Sequence, residues 1–374
     1  MRKFSFKPEE FLVEEVISGG TILELDKQFD LGTPEHQQLE NNYFTHFVLQ
    51  KNNWNSMQAV NAIAHRLHAK PSRFNFAGTK DKNAITTQLC SAFCIEPARL
   101  LSIHVKDVSI NGAWKSSAKV KLGDLQGNRF TITLTKENTG LVELPSTETI
   151  KIQAESHNLL FPNFFGTQRF GSMRENTHLV GEFLLKGDFH GAVLNYLAYT
   201  DDNERDEESK AARKRLATEL NFTEALNYYP RHLRFERDLL YHLAANPNDF
   251  VGALQKFPRN LQLMFVHAFQ SYLFNLALQE RVKQDAEWSE DEEANLVGLD
   301  SQVTDAEAAL LAEKGLTQES FKFTSMPWLS SRGSKRKLFV KAKDFAVLNE
   351  EPPVLRFALD SGCYATVFLD YLLS

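Results

Sequence analysis

The stretch Phe76-Ala77-Gly78-Thr79-Lys80-Asp81-Lys82-Asn83-Ala84-Ile85-Thr86-Thr87-Gln88 decides how the chain is read. It sets one carboxylate, Asp81, between two lysines directly after Gly78-Thr79. A glycine lets the backbone turn, or approach a ligand, where a side chain would clash. Flanking cations keep a carboxylate ionised and draw a polyanion toward it. A bare Lys-Asp-Lys is ordinarily a solvated turn. Such a turn needs neither the Gly-Thr before it nor the Ala-x-Thr-x-Gln that ends at Gln88.

Working outward, a chain of 374 residues exceeds the size at which a single core stops growing, so two domains are expected. Hydrophobic content of 43% and charged content of 24% fit an ordinary globular protein. The excess of phenylalanine (29, against 9 tyrosines) is mostly core, although unstacked bases also lie against aromatic rings. The net charge of −6 does not by itself suggest a nucleic-acid binder. Acidic runs at Asp201–Glu208 and Glu290–Glu293, read as solvated loops or helix starts, carry much of the excess. The remainder is near neutral, so whole-chain charge decides nothing. Cys90, Cys94 and Cys363 are too few and too badly spaced for a metal site or a disulfide framework, which suggests a reducing compartment. No signal peptide is read in Met1–Pro8, and Gln262, His267, Gln270 and Asn275 interrupt the most apolar segment, Leu261–Leu278. The expected setting is cytoplasmic, with no membrane association, which makes the Asn221-Phe222-Thr223 sequon accidental.

Short strands and helices alternate over the first 150 residues. Phe47–Gln50 has strand character, and Asn55 precedes a helical face of Met57, Val60, Ile63, Ala64 and Leu67. From Arg129 to Thr135, Phe130, Ile132 and Leu134 alternate with polar residues, as in a half-buried strand. The pattern turns helical from about 175 to 290, with Asp206 and Lys210 spaced as an i,i+4 pair. Leu261, Met264, Phe265, Ala268, Tyr272 and Leu276 form an apolar stripe there. Strands return at Lys337–Val340 and Val354–Leu359. This order predicts an α+β domain interrupted by a largely helical insertion.

The opening stretch resembles the signature of the TruD family of pseudouridine synthases, Gly-x-Lys-Asp-Lys/Arg-x-Ala-x-Thr-x-Gln. Gly78, Lys80, Asp81, Lys82, Ala84, Thr86 and Gln88 fill every fixed position. The resemblance extends over nearly the whole chain in separated blocks. Pro8–Val16, read alone an amphipathic edge strand, is similar to the family's Pro-Glu-Asp-Phe-x-Val-x-Glu strand. Gly127-Asn128-Arg129-Phe130 resembles its Gly-Asn-x-Phe element. Pro162–Gly171 matches Pro-Asn-Tyr/Phe-Phe-Gly-x-Gln-Arg-Phe-Gly. Its glycines have Walker-type spacing, but Ser172 and Met173 follow where Lys and Ser/Thr are required, which excludes a P-loop. Gln270–Asn275 resembles a helical Gln-Ser-Tyr-Leu-Phe-Asn block. Leu359–Thr366 resembles Leu-Pro-x-Gly-Ser-Tyr/Phe-Ala-Thr, with Asp360 for the proline, Cys363 for the serine and Asp370-Tyr371 for a later Arg-Glu.

The resemblance implies a pseudouridine-synthase catalytic domain with a central, mainly antiparallel sheet, formed by 1–157 and 335–374. A TRUD insertion domain over 158–334 splits it, and a cleft between the two accepts RNA. It also implies that Asp81 is the nucleophile and that Asn128 and Phe130 lie in the active site. Tyr364 is expected against the target base, and Lys80 beside Asp81. For Phe130 a core position in its own strand stays open. Arg169 either fixes a hinge or meets RNA phosphate, and Arg336, in the basic run Arg332–Lys337, is a candidate phosphate contact.

Pseudouridine formation breaks the C1′–N1 bond, turns the uracil and joins C5 to C1′, with no redox change. No cofactor or metal is required. A carboxylate suits the work because it can add to an electrophilic carbon and later leave. Lys80, Lys82 or a cation elsewhere in the chain would keep it ionised. The target must leave its stack, at a cost of a few kcal/mol, and an aromatic partner can return ~1–3 kcal/mol. The resemblance, rather than any residue here, implies tRNA as substrate at uridine 13 in the D-arm, and nothing in the mechanism demands a protein partner. Two alternatives remain: a catalytically silent RNA-binding or RNA-folding protein of the same fold, and a glycosidase using Glu14, Glu15 or Asp124 as a second acid.

Overall fold

A computed structural model of the chain describes residues 2–374 except 34, 36, 37, 172, 203 and 285, so Ser172 and Asn203, within the segments cited above, lie outside the described residues. The chain divides into two compact units, residues 2–161 with 341–374, and residues 162–340. The crossings therefore fall after 161 and 340 rather than after 157 and 334. Extended segments at Leu160–Pro162 and Phe339–Lys341 carry the chain past the expected points.

Alternating apolar and polar residues build the first unit around an eight-stranded sheet. Six strands come early: β1 (Phe11–Ile17), β2 (Phe44–Asn52), β3 (Phe74–Phe76), β4 (Ile85–Phe93), β5 (Val108–Ser116) and β6 (Leu125–Thr133). Two more, Lys343–Glu350 and Pro353–Asp360, come from the C-terminal segment. The order is Lys343–Glu350, Pro353–Asp360, β6, β1, β4, β2, β5, with β3 paired to β4. β1 and β4 run parallel and the other pairs are antiparallel. β1 is thus central, not the edge strand its amphipathic pattern suggests. Its glutamates are buried because each finds a cation: Glu14 meets Arg129 and Glu15 meets Lys80.

Successive residues of β2 face opposite sides. Phe47 and Leu49 join Val60, Ile63 and Ala64 of the helix Ser56–Arg66 in one core cluster. Val48 joins Leu23, Leu89 and Trp114 in another. The Asn55 side chain accepts from the Gln58 amide and starts that helix as expected, but Met57 lies outside its buried face and is exposed. Beyond β6, ring contacts run from Phe130 to Phe357, to Phe368 and on to Phe161, seating the C-terminal helix Ala365–Leu372. Where the family pattern has Arg-Glu, Asp370 accepts from the Arg2 amide, and the Tyr371 hydroxyl lies 3.0 Å from His157 Nδ1. The departure from the pattern therefore still ties the helix down.

The second unit is mostly helical, with helices from Thr177–Leu185 to Asp305–Glu313 and one strand pair, Glu293–Leu296 with Ser334–Lys337. Its longest helix, Arg259–Val282, is buried over a broader face than the expected stripe. Phe265, Val266, Phe269, Leu273, Phe274 and Leu278 are inside, while Met264 is exposed. The helix Thr177–Leu185 approaches so closely that a Cβ on Gly181 would stand 2.1 Å from the Phe265 carbonyl oxygen. Asp206 does not pair with Lys210. It caps the helix Glu207–Glu219 through the Ser209 amide and meets His232. Glu204, in the acidic run read as solvated, is buried against Arg213, which also pairs with Glu236.

Candidate active site

The loop between β3 and β4 carries Asp81, and its neighbours hold it from both ends. Gln88, on β4, donates from Nε2 to the Gly78 carbonyl at 3.1 Å. The Gln88 Oε1 accepts from the Ser56 hydroxyl at 2.7 Å, and the Ser56 oxygen accepts from the Lys80 amide at 2.9 Å. This relay gives the signature glutamine a structural reason. Ala84 is fully buried, so a larger side chain there would need the loop to move. Gly78 has no such constraint. A Cβ there would meet only Leu125 Cδ2, at an ordinary 3.8 Å, so nothing within the chain demands the glycine. Gly127 differs, because its Cβ would stand 2.2 Å from the Leu359 carbonyl oxygen.

Four charges assemble around the loop. Lys51, the penultimate residue of β2, has no exposed surface and donates from Nζ to the main-chain carbonyl oxygen of Asp81 at 2.7 Å. Lys80 Nζ lies 2.6 Å from Glu15 Oε2 and donates to Asn128 Oδ1 at 2.8 Å. Two buried cations thus balance Glu15 and Asp81. Asp81 is exposed to solvent, yet protein atoms crowd around its carboxyl. The crowding pushes its carboxyl above the ordinary range, and Lys51, then Lys80, pull it back. Burial lowers Lys51 to about 8, against the opposing pull of Asp81. Burial also holds the neighbouring Cys90 thiol well up, which leaves it protonated and unsuited as a rival nucleophile.

The fold brings Lys80, Asp81 and Asn128 together, as their motifs imply. Lys51 belongs to no motif, and from sequence Glu15 stands out only as a second acid for a glycosidase. Glu15 is committed to Lys80 instead. The signal was register: Phe47-x-Leu49-x-Lys51 and Phe11-x-Val13-x-Glu15 each end a buried alternation with a charge. Lys82 is exposed and outside the cluster.

Asn128 and Phe130 follow from β6. Asn128 pairs with Glu15 of β1 and Leu359 of the C-terminal strand. A lysine ammonium only donates, so the contact with Lys80 fixes Asn128 Oδ1 inward and turns its NH2 away. Phe130 takes the core position of its two alternatives. It is buried, with its ring 5.9 Å from Phe11 and 5.5 Å from Phe357. Tyr364 is half-buried at the start of the C-terminal helix, four positions after Asp360, which pairs with Gly127. It therefore leaves the sheet at the end where Asn128 lies. Asp360 itself, in place of proline, meets Lys343 at 2.5 Å.

Arg169 and Arg336 belong to the second unit. Arg169 donates to Ser271 Oγ at 3.0 Å, an anchor on another helix of the same unit. Arg336 donates to Asn163 Oδ1 at 2.6 Å and lies 4.1 Å from the Phe165 ring centre. Asn275 holds the Phe165 backbone from both sides, accepting its amide at 2.8 Å and donating to its carbonyl at 3.0 Å. The Pro162–Gly171, Gln270–Asn275 and Arg332–Lys337 blocks therefore lock together, and both arginines are used inside that lock. Among the described residues, no cluster of three or more His, Cys, Asp or Glu is placed to hold a metal, and no helix is long and apolar enough to cross a membrane.

The α+β unit with its four-charge Asp81 loop, interrupted by a mostly helical unit, has counterparts among known proteins. The family model "tRNA pseudouridine synthase D (TruD)" matches residues 3–307 and 294–371. A protein of Methanosarcina barkeri named probable tRNA pseudouridine synthase D is 34% identical over 377 residues, covering 86% of this chain and 85% of its own length. One of the same name from Methanococcus vannielii is 34% identical over 373 residues, covering 96% and 92%. A crystal structure from Methanosarcina mazei, named for tRNA pseudouridine synthase D (TruD), superposes with a TM-score of 0.72 at 30% identity, covering 100% of this chain and 93% of that one. The chain belongs to the TruD family.

Proposed function

We propose that the protein converts uridine to pseudouridine in the D-arm of tRNA, at position 13, with Asp81 as nucleophile. The observation that carries this is the Asp81 loop: one accessible carboxylate, pinned through its own carbonyl by the buried Lys51 and flanked by a Lys80 that Glu15 and Asn128 hold still. Such a carboxylate is accessible, restrained at its own backbone and favoured in its ionised form by Lys51 and Lys80, which suits attack on an electrophilic carbon. The carboxylate adds to the nucleotide, the C1′–N1 bond breaks, and the uracil turns. C5 then bonds to C1′ while its proton leaves and N1 gains one, and Asp81 departs unchanged.

The base reaches Asp81 only when flipped from its stack. Tyr364 is the ring proposed to receive it, and Phe130 acts beneath the site by holding the strand that presents Asn128. The outward NH2 of Asn128 donates to a uracil carbonyl, since its oxygen is occupied by Lys80. Arg169 and Arg336 serve the insertion unit's own packing. A cytoplasmic setting follows from a tRNA substrate. Nucleotide-resolution mapping of pseudouridine in tRNA transcripts treated with the wild-type protein tests the substrate. Signal confined to D-arm position 13 supports the reading, and signal elsewhere replaces the site while keeping the chemistry.

A further inference from the structure

Charge along the chain is uneven in a way that the total of −6 conceals. From Asn41 to Ile95 the only acidic residue is Asp81, while Lys51, Arg66, Lys70, Arg73, Lys80 and Lys82 fall in the same span. Two of these lysines are consumed by the Asp81 cluster, and Arg73 donates to the Phe93 and Cys94 carbonyls. Arg66 is exposed, and among the described residues its side chain makes no ion pair or hydrogen bond. It lines a depression of about 370 Å³ together with Leu67, Arg99, Ser102, Ile103 and His104. Arg99 is also exposed, and its guanidinium donates to the Leu67 carbonyl at 3.1 Å. Among the described residues, no carboxylate lines the depression.

We propose that this depression is a phosphate-binding pocket for the RNA backbone, engaged several nucleotides from the uridine at Asp81. Two guanidiniums without acidic partners among the described residues, with the His104 imidazole in the same lining, match the acceptor-only surface of a phosphodiester, while the Ser102 hydroxyl is already donated to the Arg99 carbonyl at 2.9 Å. The C-terminal end of the helix Ser56–Arg66 opposes an anion with about half a negative charge. That end is already satisfied by the Leu67, His68 and Ala69 amides and by Arg99. Two full positive charges outweigh what remains.

Its position gives the pocket a purpose. The helix begins at Ser56, whose oxygen holds the Lys80 amide beside Asp81, and ends at Arg66. Eleven residues at ~1.5 Å each set the two ends about 16 Å apart. A backbone phosphate held at the far end would fix the register of the strand that delivers the target base without reading its sequence.

The proposal rests on the RNA-modifying reading of the Asp81 loop, and the test separates the two. Binding of an unmodified tRNA transcript is measured against salt for the wild type, Arg66→Gln, Arg66→Glu and Arg99→Lys, with single-turnover pseudouridine formation at saturating tRNA in parallel. Arg66→Glu is expected to raise Kd about tenfold and to lower the slope of log Kd against log salt by about 1. Arg66→Gln should fall between, and the single-turnover rate should hold. Since the Arg66 side chain is exposed and makes no ion pair or hydrogen bond among the described residues, its replacement should leave the fold intact. Unchanged Kd and slope in both Arg66 variants, alongside normal wild-type turnover, would overturn the pocket and spare the enzyme. An Arg66-dependent slope with no pseudouridine in any transcript would overturn the enzyme and leave the phosphate contact. A change in single-turnover rate without a change in Kd also contradicts the proposal.

Discussion

Lys51 Nζ donates to the main-chain carbonyl oxygen of Asp81, not to its carboxylate, at 2.7 Å. The contact restrains the loop while leaving both carboxylate oxygens available to a substrate. It also places a buried positive charge beside a group that must ionise, at the expense of the lysine's own proton affinity.

That trade-off gives a pH signature. Lys51 is lowered to about 8 in the folded chain, so the unfolded chain binds more protons between there and the ordinary lysine value. Folding stability from this group is therefore lowest below about pH 8 and recovers as pH rises above it. Catalysis runs the other way. Single-turnover conversion should fall about tenfold per unit above pH 8 as the Lys51 charge is lost, and Lys51→Met should remove this alkaline limb along with most of the rate. A pH–rate profile of the two proteins checks both.

The Lys80–Glu15 pair is buried on both sides. Lys80→Met would leave Glu15 without its cation and should destabilise the chain by about 3–5 kcal/mol, read by urea denaturation. Lys80→Met with Glu15→Gln should recover part of that loss, because no buried charge is then stranded. Double-mutant coupling near zero would show that the pair is not a unit.

The two motif glycines should part company. Gly78→Ala has room within the chain and should leave the melting temperature within a degree or two, whereas Gly127→Ala forces a Cβ against the Leu359 carbonyl and should be strongly destabilising. If Gly78 is kept for the approach of RNA, Gly78→Ala should lower kcat/KM on tRNA while the protein stays folded. Thermal melts and steady-state kinetics on the same preparations separate these outcomes.

Arg336→Ala should behave as a packing variant. Losing the Asn163 hydrogen bonds and the contact with Phe165 should cost roughly 1–3 kcal/mol. The salt slope of tRNA binding should not change, unlike that of Arg66→Glu.

Much of this was legible in the chain because pattern and chemistry coincided. Phe130, Ile132 and Leu134 announced their strand by alternation, and Asn55 announced its helix by capping. What stayed hidden depended on residues distant in sequence. Lys51 and Glu15 look like ordinary strand charges until β2, β4, β1 and β6 bring them to one loop. Arg336 sits in a basic run that reads as a phosphate contact, yet Asn163 and Phe165 claim it. Period alone turns Met264 and Met57 inward, whereas both are exposed, because the neighbours that decide burial are set by the tertiary fold. The acid-poor span around Arg66 disappears in a whole-chain charge of −6.

The central claim is that Asp81 is the nucleophile, and one comparison tests it most directly: single-turnover pseudouridine formation by the wild type and Asp81→Asn on the same tRNA transcript, with binding measured alongside. The account predicts a D-arm signal with the wild type, none with Asp81→Asn, and tRNA affinity within several-fold between them. Pseudouridine formed by Asp81→Asn at a rate approaching that of the wild type would contradict it.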